Sequence, residues 1–105
     1  MNRFEKPIAD VEAIIKNIRP SKNVICSKYR PAFKVKEDYL TSGEIRFMTC
    51  EKINYGEEAI AEVRFISPEF YPKSLEIGQV IPFQEGNTIH GYATITKINN
   101  KTLQK

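Results

Sequence analysis

One histidine, two cysteines and thirteen carboxylates are the residues of this 105-residue chain with the reach to do nucleophilic, acid–base or metal chemistry, and their spacing argues against all three. His90 stands in "TIHGYATITKI", where strand alternation puts it on the face opposite Ile89, Gly91, Ala93 and Ile95, so an exposed position is expected. A cysteine nucleophile needs a base beside it, and nothing in the order of residues brings His90 to Cys26 or Cys50. The two cysteines have neither knuckle nor redox-motif spacing; buried thiols are the expectation, with a disulfide as the alternative. Glu57 and Glu58 adjoin at a strand start and so point to opposite faces, which separates them as a carboxylate pair. No metal-ligand spacing occurs. The expectation is a protein that binds rather than catalyses, without metal or cofactor.

The elements that would carry these residues read as strands. "AFKVK" sets Phe33 and Val35 against Lys34 and Lys36, and "GEIRF" sets Ile45 and Phe47 against Glu44 and Arg46. "EAIAEVRFI" alternates Ala59, Ala61, Val63 and Phe65 with a partly apolar second face, which suits a central strand. "SPEFYPKS" carries two prolines and reads as an irregular crossing segment; Pro82 in "QVIPF" requires an edge or a bulge, and Gly91 suggests a bulge or a close backbone approach. The opening "IADVEAIIKNI" is ambiguous. Ile8, Val11, Ile15 and Ile18 recur at helical spacing, while Val11, Ala13 and Ile15 alternate as a half-buried strand would. If it is a strand, Ile14 falls on its outer face and should lie under another element or in an interface. With "EAIIKNI" counted, six strands joined by "TSG", "NYGEE" and "QEGN" turns predict a single all-β domain, a sandwich or a closed barrel.

Hydrophobic residues are 41% and charged residues 28% of the chain, an ordinary globular balance, with net charge +3. The charges are segregated. Residues 13 to 36 hold seven bases and no acid; residues 37 to 85 hold ten acids and four bases. Such a split suits either a polyanion-binding face or strands that pair opposite charges across a ladder. Glu5 and Asp10 interrupt the apolar run a leader would need, and no segment has membrane-spanning length, so a cytoplasmic location is expected.

At "YRPAFKV", residues 29 to 35, the pattern becomes specific. Tyr29-Arg30-Pro31 before an alternating strand, then "TSGEI", "YGEEAIAEVRFISP" and "FQEGNTIHGYATITKI", in that order, resembles the third, C-terminal domain of elongation factor Tu over about residues 10 to 98. The resemblance implies a six-stranded antiparallel closed barrel of the translation-factor C-terminal type, and it favours the strand reading of "DVEAIIK". The phosphate loop "GxxxxGK[ST]" is absent, so no nucleotide is expected. It further implies contacts with a GTPase domain and with the T arm of tRNA, through the "YRP" strand, the Thr-Gly turn and the Glu-Gly hairpin. On those positions stand Tyr29, Arg30, Ser42, Glu85 and Gly86, whereas Ala32 and Thr88 replace a Gln and an Arg of the family pattern.

Two partner classes follow. An unidentified protein would engage the "YRP", "TSG" and "QEGN" segments, with Arg30 serving either an anionic partner group or a barrel acid. RNA would follow the basic segment from residue 16 to 36, with Lys28, Lys34 and Lys36 beside Tyr29 and Arg30 as phosphate contacts.

Overall fold

The structure is a computed structural model that describes residues 9–105. The leader reading of the first residues falls mostly outside that range. Six strands close into an antiparallel barrel: β1 (Val11–Asn17), β3 (Ala32–Lys36), β4 (Tyr39–Phe47), β6 (Glu58–Phe65), β7 (Val80–Glu85) and β8 (Thr88–Ile98), in the order β1-β6-β4-β3-β7-β8. These are the six segments whose alternation marks them as strands. Two further strands, β2 (Ile25–Cys26) and β5 (Lys52–Ile53), form a small separate ribbon too short to show a period.

Alternation fills the barrel. Val11, Ala13 and Ile15 of β1, Phe33 and Val35 of β3, Ile45 of β4, Ala61, Val63 and Phe65 of β6, Ile81 and Phe83 of β7, and Ala93 and Ile95 of β8 all point inward and are buried. Small residues on β1, β6 and β8 leave room for the rings of Phe33, Phe65 and Phe83. Phe33 meets each of the other two with centroids 5.4 Å apart. Each buried phenyl contributes roughly 1.5–3 kcal/mol. The opening segment is therefore a strand, but Ile14 lies uncovered on its outer face, 37% exposed.

Closure depends on β8, the longest strand. Phe83 pairs with Gly91 but Gln84 pairs with Ile89, which leaves His90 as the extra residue of a bulge; Glu12 pairs with Lys97 and Ala13 with Ile95, which makes Thr96 a second one. Bulges add local bend and twist, which lets one strand serve both β7 and β1. The weakest seam is β3 with β7, joined only at Ala32↔Gln84 and Phe33↔Phe83. Pro82 sits beyond the end of that pairing, where β3 asks no N–H of it.

The crossing segment 66–79 and the C-terminus plug the barrel together. Tyr71, Leu75 and Leu103 are fully buried. Lys73 N–H donates to the Thr102 carbonyl (2.8 Å), Leu75 N–H to that of Leu103 (2.9 Å) and Lys105 N–H to that of Leu75 (2.8 Å). At the same end Asp10 accepts from Phe65 N–H (2.7 Å) and from the Asn100 side chain (2.9 Å), which ties β1 to the ends of β6 and β8. The Tyr71 hydroxyl donates to the Ile66 carbonyl (2.9 Å) and lies 3.0 Å from Thr41 Oγ1.

A Cβ on Gly91 would stand 2.2 Å from Phe83 Cζ and 2.3 Å from the Lys16 carbonyl oxygen. The oxygen belongs to a paired strand and cannot retreat. Gly91→Ala is expected to cost about 3 kcal/mol or more, measured by urea unfolding; a loss below about 1 kcal/mol would show that the β1–β8 contact can yield.

Burial, with the charges of Asp10, Tyr39 and Glu69, pushes the Tyr71 phenol up to about 12, against the opposing hydrogen bond with Thr41. In the unfolded chain a tyrosine titrates near pH 10. The folded state thus holds its proton where the unfolded state releases it: this contribution is complete below about pH 10 and falls as pH rises toward about 12. Unfolding midpoints between those pH values should decline less steeply in Tyr71→Phe than in the parent; equal slopes would remove Tyr71 as the source.

Candidate functional site

The three quoted landmarks meet at the start of β3. Ala32 pairs with Ser42 on β4 and with Gln84 on β7, and Gly43 N–H donates to the Pro31 carbonyl (3.1 Å). The "YRP", "TSG" and "QEG" segments are thereby neighbours, and they divide into two local environments.

The first is a cross-brace at the barrel mouth. Tyr29, leading into β3, donates its hydroxyl proton to Glu85 Oε2 (2.5 Å) and lies 3.2 Å from His90 Nδ1. Arg19, just beyond β1, donates from Nε to the same Nδ1 (3.2 Å), from Nη2 to Glu85 Oε2 (3.3 Å) and from Nη1 to the Val24 carbonyl (2.8 Å). Its guanidinium carbon lies 4.9 Å from the centre of the Tyr29 ring. Asn17 sits beneath, wholly buried: its side-chain oxygen accepts from Arg19 N–H (2.8 Å), and its amide donates to the Asn23 and Ile53 carbonyls.

His90 is a correction. It is 8% exposed rather than outward-facing, because the bulge inserts it between the alternating halves of β8. Ile89 is pushed out in exchange, 38% exposed. The Arg19 Nε–H is aimed at its Nδ1. Burial, followed by the hydrogen bond to the Glu85 carboxylate and its charge, raises the Tyr29 phenol well above the ordinary tyrosine value, with Arg19 opposing. A neutral phenol, an imidazole whose Nδ1 accepts, and a carboxylate bound by two donors satisfy one another. The arrangement is a clamp joining three loops to the barrel.

The second environment is an open hollow of about 190 Å³ lined by Arg30, Ser42, Gly43, Glu44, Arg64, Phe65 and Ile66. Arg30 stands over it, its side chain 71% exposed, and reaches Glu44 at 3.9 Å; Arg46 holds the same carboxylate at 3.3 Å. Ser42 and Ile66 line it and are exposed. The hollow offers a guanidinium, a hydroxyl and an apolar side to whatever enters. Gly86 lies apart, at the hairpin tip with φ +57° and its Cβ direction open, accepting from the Gln84 side chain (2.6 Å).

Ion pairs resolve the charge segregation. Lys16–Glu58 (3.7 Å), Arg19–Glu85 (3.3 Å) and Arg30–Glu44 (3.9 Å) each join the basic segment to the acidic one. Lys28, Lys34 and Lys36 make no ion pair with a described residue; Lys36 lies 5.9 Å from the Tyr39 ring centre. Lys34 and Lys36 point outward from β3, and Lys28 occupies the preceding turn at φ +79°.

The cysteines also differ from expectation. Both are exposed and unbridged, because Ile25 and Ile53 take the inward face of the β2–β5 ribbon and leave Cys26 outside, while Cys50 lies in the bend before β5. Glu57 caps a turn, accepting from Asn54 N–H (2.7 Å). Among the described residues no three His, Cys, Asp or Glu side chains gather as a metal site, and no helix is long and apolar enough to cross a membrane.

No protein-family model and no curated protein matches this chain. What the fold itself establishes is a small, closed, six-stranded antiparallel barrel.

Removing Arg19 takes three side-chain donors and a ring contact from the clamp at once. Arg19→Ala should cost about 2 kcal/mol and Tyr29→Phe about 1 kcal/mol in urea unfolding. The double variant should lose less than their sum, since both bind Glu85 Oε2. Strict additivity would mean that the clamp does not act as a unit.

Proposed function

We propose that this chain is a non-enzymatic, cytoplasmic binding module resembling the C-terminal barrel of elongation factor Tu, and that it acts through protein–protein contacts at the start of β3. The observation that carries the reading is the hollow beside the joined landmarks. Arg30 is mostly in solvent, held loosely by a carboxylate that Arg46 also claims, and so is available to a partner's acidic group. Ser42 and Ile66 give such a partner a polar and an apolar contact in the same recess. The Tyr29–Glu85 half of the landmark surface is committed to the internal clamp, so its role is to hold the hairpin against β3 while Arg30 meets the partner.

A second reading, RNA binding, is favoured by Lys28, Lys34 and Lys36, three cations in no ion pair with a described residue. Phosphate contacts would make such binding steeply salt-dependent, each lysine adding about one unit or slightly less to the slope of log K against log salt.

Affinity capture from native extract, with and without nuclease, separates the two. Protein capture should survive nuclease and fall about tenfold in Arg30→Ala and in Ser42→Tyr, both solvent-facing changes that leave the melting temperature near that of the parent. Capture that disappears with nuclease, together with a salt slope that drops in the Lys28→Ala, Lys34→Ala, Lys36→Ala triple variant, would replace the protein reading with the RNA one.

A further inference from the structure

The chain has one histidine, and the bulge in β8 buries it. Imidazole is the side chain whose charge ordinarily changes between about pH 5 and 8, so a buried imidazole that holds other groups ties their position to pH. The backbone that carries the His90 ring is fixed: its carbonyl accepts from Ile18 N–H (3.0 Å), and Gly91 beside it pairs with Asn17. Three elements turn titratable groups toward Nδ1. The end of β1 supplies Arg19 Nε at 3.2 Å, the lead into β3 supplies the Tyr29 hydroxyl at 3.2 Å, and β7 supplies Glu85 Oε2 at 3.5 Å. Among the described residues no other charged side chain bonds to the ring, and β8 itself adds none.

A guanidinium N–H donates and never accepts, whereas both ring nitrogens of a protonated histidine are donors. The contact between Arg19 Nε–H and Nδ1 therefore exists only while Nδ1 has its lone pair. A proton there sets N–H against N–H and brings two cations together in a site shielded from water, where their repulsion is strong. Glu85 Oε2 is the acceptor within reach of the new Nδ1–H. The carboxylate then serves the imidazolium, and Arg19 keeps one side-chain hydrogen bond, from Nη1 to the Val24 carbonyl. The chain that Arg19 fastens is poorly held otherwise. No residue from Pro20 to Lys22 is buried. Ser21 and Lys22 both have positive φ (60° and 56°), a conformation that residues other than glycine keep only where surrounding contacts impose it.

We propose that His90 is a pH switch for the clamp: uptake of one proton moves Glu85 from Arg19 to the imidazolium, expels Arg19 and loosens residues 18–24 while the barrel stays closed. The closed clamp has no place for a proton at Nδ1 and the open one does. The closed form therefore prevails on the alkaline side, and its share against the open form falls by up to about tenfold per pH unit as pH drops through the imidazole range. Tyr29 keeps its bond to Glu85, so the hairpin stays on β3 and the change is confined to the Arg19 side. The inference rests on the geometry of the clamp and is independent of the partner proposed for the Arg30 hollow.

Nuclear magnetic resonance of the full chain from about pH 8 down to about pH 5.5 tests it. The Arg19 Nε–H signal should leave its hydrogen-bonded position along the same curve as the His90 ring carbons. Amide exchange, corrected for its intrinsic pH dependence, should quicken about tenfold in residues 18–24 and stay unchanged at Ala13, Val63 and Ala93 in the barrel wall. His90→Gln offers an amide oxygen that accepts but does not ionise, and should show neither change. Because the chain has a single histidine, titration of the parent decides the matter even if that variant does not fold. An Arg19 Nε–H that stays in place while the ring titrates, a ring that does not titrate in this range, or exchange that rises in the barrel strands together with residues 18–24 would each overturn the proposal. So would a folded His90→Gln variant that keeps the transition.

Discussion

The ring of Phe83 lies against the backbone of Gly91, in the space a side chain there would need, and the rest of the barrel is arranged around that contact. A six-stranded barrel has a narrow interior, and three phenylalanine rings already occupy it. β8 must therefore pass close to both Phe83 and the Lys16 carbonyl to close the ring between β7 and β1. A residue without a Cβ makes the approach possible. The bulge that follows shifts the alternation by one and turns His90 inward. The same constraint that closes the barrel thus supplies the imidazole to which Arg19 and Tyr29 attach.

The clamp explains how loops with few apolar residues keep a fixed position. The segments that carry Arg19, Tyr29 and Glu85 enter the barrel mouth from three directions, and no strand pairing holds all of them. One carboxylate oxygen receives both the Tyr29 hydroxyl and the Arg19 guanidinium, and one imidazole nitrogen lies within reach of both. Hydrogen bonds to charged groups contribute about 1.5–3 kcal/mol each when partly shielded, more than exposed ion pairs do. The Asn17 side chain, buried below, fixes the Arg19 backbone, so the guanidinium is aimed before it pairs. Segregation of charge in the sequence becomes alternation in space, because Lys16 of β1, Arg19 just beyond it and Arg30 leading into β3 lie against Glu58 of β6, Glu85 of β7 and Glu44 of β4.

What the sequence made legible was set by period. Six strands were readable because alternation over five or more residues leaves few other arrangements, and Pro82 and Gly91 announced an interrupted ladder and a close approach. The ribbon of β2 and β5 was not readable, since two residues have no period, and with it went the exposure of Cys26. His90 was misplaced for a related reason: a bulge changes phase by a single residue without a compositional mark of its own, and Gly91 beside it was the one available sign. Tyr29 and Glu85 were visible as landmarks of a resemblance, while Arg19, contributing most bonds to the same cluster, was one base among seven. Its signal was indirect, a cation two residues after a buried strand-end asparagine.

Ile14 shows where a local pattern and a global surface part company. On a strand of a closed barrel an outward isoleucine covers nothing inside the molecule, and burying it would be worth roughly 1.5–3 kcal/mol. One such residue is ordinary. Its position comes from register, which is fixed by the inward set Val11, Ala13 and Ile15 and cannot slip by one residue without turning that set outward. The core therefore dictates that Ile14 stand beside Ile60 and Thr94. Residues far apart in the chain become neighbours because the interior aligns them. The barrel consequently presents two unlike surfaces at once, a charged recess at β3 and an uncovered isoleucine on β1, held apart by the same six staves.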